Sequence, residues 1–301
     1  MQRRADVVAA HSLDHVEFEV PSLDDATRFY SAFGLEVTRA GNALHVCTHG
    51  DPRPWLILHA GGPVKKLRHV TFGIYEQDMP VFRERAAAHG VASLAGDRSV
   101  WFRDPHGVAV ELAVGPKRSP DRAHQFEVSP RGDRGAPLRS ATKPVTPRRL
   151  SHALLFTPDL EASIAFYRDM VGLRLSDEAG VVAFMHAPHG SDHHVLAFAR
   201  SGGSGLHHVS WAVDSLEDVG IGAMQMAEAG FARGWGIGRH VLGSNYFQYV
   251  RDPWGSYSEY SFDIDHVPFD RDWPATSHSP ENGFYLWGPP PPEDFTTNYE
   301  I

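Results

Sequence analysis

An α+β fold of four βαβββ modules, paired into two similar domains that each form a curved mixed sheet, is what this 301-residue sequence predicts. Three observations carry that expectation. SLDHVEFEVPSLDDATRFYSAFGLEV aligns with RLSHALLFTPDLEASIAFYRDMVGLRL, and His15 and Tyr30 stand at the same interval as His152 and Tyr167. LRHVTFGIYEQDMPVFRERAAAHG aligns in the same way with LHHVSWAVDSLEDVGIGAMQMAEAG. RDPHGVAVEL and RDPWGSYSEY then close each half on an Asp-Pro-x-Gly turn. An internal repeat of this kind sets the architecture before any single element is assigned.

Taken in order, each unit reads as a strand carrying His, a helix, and further strands. The apolar run before Pro21 or Pro158 alternates as a strand does. The acidic turn that follows opens a helix holding Phe29-Tyr30 or Phe166-Tyr167. In the second and fourth units a short β-rich run leads into an amphipathic helix that ends at Gly90 or Gly230. The Asp-Pro-x-Gly turn marks the final hairpin. The units fall near residues 11–62, 66–115, 148–201 and 205–263. Residues 1–115 thus form a first two-module domain and 148–263 a second. Residues 116–147, dense in Pro, Arg, Gly and Ser, read as a surface linker. Residues 264–301 carry Trp273, Phe284, Tyr285 and Trp287, too apolar for a solvated tail. They are expected to pack on the second domain, as a candidate lid.

Composition narrows the function classes. A formal charge of -9, from 37 acidic and 28 basic residues, leaves no basic face for a nucleic-acid backbone. A small molecule is the expected partner. No apolar run reaches the ~20 residues of a membrane span. The single cysteine, Cys47, makes no intramolecular disulfide, and MQRRADVVAAHSLDH lacks the apolar centre of a signal peptide. A reducing cytoplasm is the expected compartment.

Within the second half, His152, His208 and Glu259 supply two imidazoles and a carboxylate. That set holds a divalent iron on one face and leaves opposite positions open. His152 and His208 sit on the first strands of paired modules and Glu259 on the last strand, so strand alternation lets all three enter one concave sheet. The first half carries His15, His69 and Glu111 at corresponding places. His207 beside His208, and His193 beside His194, face away by the same alternation. His186 and His189 in FMHAPHG read as loop residues.

SHALLFTPDLEASIAFYRDMVGL, LHHVSWAVDSLEDV and GRHVLGSNYFQYVRDPWGSYSEY together resemble the vicinal oxygen chelate superfamily, whose fold is that of the glyoxalases, bleomycin-resistance proteins and dioxygenases. The resemblance extends over essentially the whole chain. Within the superfamily it is to the type I two-domain extradiol ring-cleaving catechol dioxygenases, nearest the homoprotocatechuate 2,3-dioxygenase-like branch.

This resemblance implies His152, His208 and Glu259 as metal ligands, with Fe(II) or alternatively Mn(II) as cofactor. It implies His194 as acid/base beside the oxygen position, and His240 and Tyr249 as hydrogen-bonding partners of the bound diol and oxygen. The implied partners are a small aromatic diol and O2, in aromatic-compound catabolism, and the implied assembly is a homo-oligomer. Arg233 matches an arginine that meets a substrate carboxylate. Leu154, Phe184 and Trp235 instead offer apolar contact, so a carboxylated and an alkyl- or aryl-substituted catechol both stand.

In the first half the positions matching Tyr249, His240 and His194 are Trp101, a residue near Ala92 and one near Trp55, so catalysis is expected in the second half alone. The rival functions are a glyoxalase-like lyase or isomerase, a hydroquinone-type dioxygenase, and a metal-free module that binds a small aromatic compound.

Overall fold

Alternating burial along SLDHVEFEV makes Ser12–Val20 the first strand, β1, with Val16, Phe18 and Val20 in the core and His15, Glu17 and Glu19 on the other face. In the computed structural model, which describes residues 3–90, 98–125, 132 and 134–301, the first half continues with α1 (Leu23–Ala32), β2 (Glu36–Ala40), β3 (Ala43–Cys47) and β4 (Leu56–Ala60). Its second module comprises β5 (Lys66–Ile74), α2 (Met79–Ala88), β6 (Ser99–Arg103) and β7 (Ala109–Val114).

The second half repeats the plan. Its third module holds β8 (Arg149–Thr157), α3 (Leu160–Phe166), β9 (Arg174–Ala179), β10 (Val182–His186), a short β11 (Ser191–Asp192) and β12 (Leu196–Arg200). The fourth holds β13 (Gly205–Ala212), α4 (Leu216–Glu228), β14 (Gly234–His240), β15 (Tyr246–Arg251) and β16 (Tyr257–Phe262). The chain ends with β17 (His266–Val267), β18 (Thr276–His278), α5 (Pro280–Gly283) and β19 (Tyr285–Trp287).

Local chemistry explains the boundaries. Ser22, Asp159 and Ser215 cap α1, α3 and α4 by accepting backbone N–H bonds from Asp25, Ala162 and Asp218. In the two matching hairpins, Asp104 accepts from the amides of His106 and Val108, and Asp252 from those of Trp254 and Ser256. Gly107 and Gly255 complete those turns at φ +88 and +102, where a side chain is strained.

Among the described residues the first sheet runs β2-β3-β4-β1-β5-β7-β6, and the second runs β18-β9-β10-β12-β8-β13-β16-β15-β14-β19. The orders superpose, with β1 and β5 antiparallel at the centre of one and β8 and β13 antiparallel at the centre of the other. β14, which carries His240, has no counterpart among the described residues of the first half. The position near Ala92, expected to match His240, lies outside the described residues.

One hydrophobic core runs through both halves. Tyr260 stacks on Phe33 at 3.8 Å and 3°, and its hydroxyl donates to the Phe33 carbonyl. Lys65 and Asp252 form a buried ion pair of 2.8 Å between the halves. The connecting segment also differs from a simple surface linker. Arg118 is buried, donates to the carbonyls of Asp14 and Pro54, and lies 3.1 Å over the Trp55 ring, while Val145 is in the core. After β16 the chain adds β17 to β11, β18 to β9 at one edge of the second sheet, and β19 to β14 at the other. Among the described residues no helix is long and apolar enough to cross a membrane.

Candidate active site

Cross-strand register brings the predicted ligands together. His152 on β8 pairs with Ser210 on β13, which pairs with Glu259 on β16, which pairs with Tyr249 on β15. His208 lies two residues from Ser210 on the same strand and so faces the same way. Nε2 of His152 is 3.2 Å from Nε2 of His208 and 3.3 Å from Oε2 of Glu259, while His208 Nε2 lies 3.7 Å from the same oxygen. All three side chains are buried.

This donor set suits a cation. Glu259 is fully buried, and its Oε2 has no hydrogen-bond partner among the described residues. A buried carboxylate oxygen left unpaired is costly unless something positive meets it. Oε1 is held by Asn245 Nδ2 at 3.0 Å, so only the oxygen facing the imidazoles is free.

Outer partners fix each imidazole so that Nε2 faces the centre. The Phe295 carbonyl, which only accepts, is 2.8 Å from His207 Nε2. His207 Nδ1 therefore accepts, and His208 Nδ1–H donates to it across 2.7 Å. The lone pair of His208 is left on Nε2. His194 is arranged in the same way. The Asp177 carboxylate takes His193 Nε2–H at 2.8 Å, and His193 Nδ1 accepts from His194 Nδ1 at 3.1 Å, freeing His194 Nε2. Behind His152 the Ser151 hydroxyl donates to Asp192 at 2.6 Å, and Arg149 grips Asp192 with two hydrogen bonds.

Burial, reinforced by neighbouring imidazoles, pushes His194 and His208 well below the ordinary imidazole pKa, so both are neutral. Burial also lowers His240, opposed by the charge of Glu259. Tyr249 is pushed well above the usual phenol value by burial and by Glu259, so it stays protonated. Against burial, hydrogen bonds from His193, Thr276 and Trp273 hold the Asp177 carboxyl down to about 2. It remains an acceptor for His193 across the neutral range.

The remaining expected residues fall in two groups. His194 sits with its ring 4.1 Å from that of His152 and 4.9 Å from that of Phe184. His240 donates from Nδ1 to the Phe284 carbonyl, so its Nε2 accepts the Tyr249 hydroxyl at 3.0 Å. Leu154 pairs in register with His208. Trp235 pairs in register with Tyr249 and stacks on it at 5.5 Å and 15°, on the same sheet face as the trio. Arg233 stands apart. It is exposed in a surface groove with Arg28, Lys65, Arg251 and Trp254, away from the ligand trio.

Sequence reasoning passed over Asn245, His193 and His207, whose roles depend on contacts from distant parts of the chain. Of the two histidines read as loop residues, His189 lies in the turn after β10, whereas His186 is the last residue of β10 itself. Both are buried, His186 at the end of β10 against the Ser176 hydroxyl and His189 accepting from the Arg4 amide.

Residues 149–260 match the Glyoxalase/Bleomycin resistance protein/Dioxygenase superfamily. The chain is 49% identical over 300 residues to Metapyrocatechase 2 of Cupriavidus necator, covering 97% of this chain and 93% of that relative. It is 26% identical to 3-methylcatechol 2,3-dioxygenase of Pseudomonas putida, over 79% of this chain and 83% of the relative. In fold it is similar to homoprotocatechuate 2,3-dioxygenase from Arthrobacter globiformis, with a TM-score of 0.78 at 19% identity over 97% of this chain and 93% of that one. The Mn(II)-bound glyoxalase from Novosphingobium aromaticivorans gives 0.73 at 25% identity over 95% of each chain. The chain belongs to this superfamily and, within it, to the extradiol ring-cleaving dioxygenases. Its near-full-length likeness to a metapyrocatechase carries that assignment.

Proposed function

We propose that the second half uses Fe(II), held by His152, His208 and Glu259, to open the ring of an alkyl- or aryl-substituted catechol next to its diol with O2. The carrying observation is the convergence of three buried ligand atoms beside His194, an imidazole with a free Nε2. A divalent iron there supplies a Lewis acid for the diol oxygens and a route for electrons from the ring to oxygen.

The chain's own residues do the rest. His194 Nε2 is the atom positioned to take a proton from the diol and return it during ring opening, the work that suits a neutral imidazole. Tyr249 and His240 form one hydrogen-bonded pair that orients polar atoms on the opposite side of the trio. Leu154 and Phe184 give the aromatic ring an apolar wall and keep water from it. With Arg233 out on the surface groove, no cation is offered to a substrate carboxylate from that position. An uncharged ring substituent is favoured for that reason, in keeping with the methylcatechol enzyme among the relatives. The lone, buried Cys47 agrees with a reducing compartment such as the cytoplasm. The metal-free reading is disfavoured by the unpaired Glu259 oxygen.

The test is anaerobic loading with ferrous iron, and separately with Mn(II), followed by air and a panel of catechols that includes 3-methylcatechol and homoprotocatechuate. The iron-loaded protein is expected to give a yellow ring-opened product with one O2 consumed per ring, fastest on uncharged catechols. Absence of oxygen uptake across the panel with either metal sinks the reading. Activity with Mn(II) alone corrects the metal and leaves the reaction.

A further inference from the structure

The first half holds a second constellation of metal-ligating groups that the second half does not reproduce. Ligand atoms of His15, His69 and Glu111 lie within 4.8 Å of one another. They occupy the register positions of His152, His208 and Glu259, because His15 pairs with Thr71 and Thr71 with Glu111, as His152 pairs with Ser210 and Ser210 with Glu259. Glu17 pairs with His69 where Leu154 pairs with His208. A leucine at the mouth of one trio is thus a carboxylate at the mouth of the other. Glu17 Oε1 is 3.7 Å from His15 Nε2 and 3.6 Å from His69 Nε2.

The neighbours of this cluster orient it as a metal site requires. Asp14 lies 2.7 Å from His15 Nδ1, which places that ring's Nε2 toward the centre. Thr71 donates to Glu111 Oε2, and His59 Nε2 bonds the second oxygen of Glu17 at 2.8 Å. Glu17 and Glu111 face the two imidazoles, while Asp14 is shared between His15 and Arg118. The two Glu17 separations are close to the edge, roughly 3.3–3.6 Å, of a tetrahedron whose corners sit roughly 2.0–2.2 Å from a central ion, and the other ligand atoms lie within the 4.8 Å from which small side-chain movements close on such an ion.

We propose that His15, Glu17, His69 and Glu111 bind a second divalent first-row cation of the zinc(II) kind, in a closed site that takes no part in turnover. Two imidazoles and two carboxylates fill a four-coordinate ion, so no position is left for a diol and oxygen, in keeping with structural rather than catalytic sites. Trp101 stands where the second half has Tyr249, with its ring 4.7 Å from His69, and provides no hydroxyl to a bound oxygen. The rival arrangement, a protonated His15 paired with Asp14 and Glu17, has no ion to gain or lose.

The test reads metal content. The full chain is stripped with a chelator, reloaded with Zn(II), freed of excess by gel filtration, and assayed for zinc and for circular dichroism. The wild-type chain is expected to keep about two ions, and both His152→Ala/His208→Ala and Glu17→Gln/His69→Gln about one each. The chain combining all four substitutions is expected to keep none. About one ion in the wild type with none in His152→Ala/His208→Ala overturns the proposal, as does an ion that persists in the combined chain. If His152→Ala/His208→Ala does not fold, the near-isosteric Glu17→Gln/His69→Gln chain decides alone. One ion fewer than wild type supports the site, and an unchanged count refutes it. No arm reads turnover, so the dioxygenase reading can fail while this one stands.

Discussion

In the second half the register row through His152, Ser210 and Glu259 ends on the phenol of Tyr249, whereas the matching row through His15, Thr71 and Glu111 ends on the indole of Trp101. One row over, Phe184, Ala197, Leu154, His208 and Tyr257 face His45, Ile57, Glu17, His69 and Ala109. The same ligand types thus sit on the same strands in both halves. Their surroundings separate them: apolar walls and neutral imidazoles in one case, further carboxylates in the other. The repeat keeps the same ligand types on equivalent strands, and under the proposed function only the second copy offers an apolar face for a substrate with a neutral imidazole beside it.

Substitutions that change these surroundings have the largest expected effects. His194→Asn removes the free Nε2 and is expected to lower kcat by roughly 10²–10⁴-fold with iron still bound, read by oxygen uptake and metal analysis. Turnover within a few fold of wild type would remove His194 from the proton path. Leu154→Glu gives the second half the carboxylate of the first. It is expected to hold metal at least as tightly yet lose on the order of 10²-fold in kcat/KM, because a fourth protein ligand closes the diol position. Unchanged kcat/KM would show that Leu154 does not border that position.

Smaller effects come from groups that act through the ligands. Asn245→Ala frees Glu259 Oε1 and is expected to weaken iron binding by roughly 10–100-fold, measured by chelator competition. The matching contact in the first half comes from Thr71 to Glu111, so Thr71→Val is expected to leave turnover unaltered while loosening the first-half ion.

The smallest effect concerns acid, which bears on both halves alike. Burial is the leading cause that holds His11 at about 4 and His186 at about 3, below their ordinary value of 6.5. Between those values and 6.5 the unfolded chain binds protons that the folded chain refuses, so stability present above pH 6.5 is lost as pH falls toward 4. The urea midpoint is expected to drop between pH 7.5 and 5, in one transition, since the core is shared. Two separated transitions would contradict a common core.

Much of this was legible in the sequence. The repeat and the Asp-Pro-x-Gly turns announced two matching sheets, because strand, cap and turn signals are local. Three ligand positions followed, because paired modules set equivalent strands side by side. The hydrogen-bonded path from Phe295 through His207 to His208 was not legible, since Phe295 and His207 are 88 residues apart and a backbone carbonyl has no side-chain signature. Asn245 escaped for a similar reason, reaching Glu259 across a hairpin from a polar loop. Glu17 was hidden by strand alternation, which makes any outward carboxylate look like an ordinary solvated face. The resemblance implies Arg233 as a substrate clamp, yet it stands just before β14 and is exposed in the outer groove.

Turnover is expected from the second half alone. Oxygen uptake with 3-methylcatechol by ferrous-loaded His208→Gln and His69→Gln, measured side by side with the wild type, tests it most directly. A loss beyond roughly 10³-fold is expected for His208→Gln, the scale of removing a main stabiliser of transition-state charge, and wild-type turnover for His69→Gln. Substantial activity in His208→Gln, or its loss in His69→Gln with the fold intact, would contradict it.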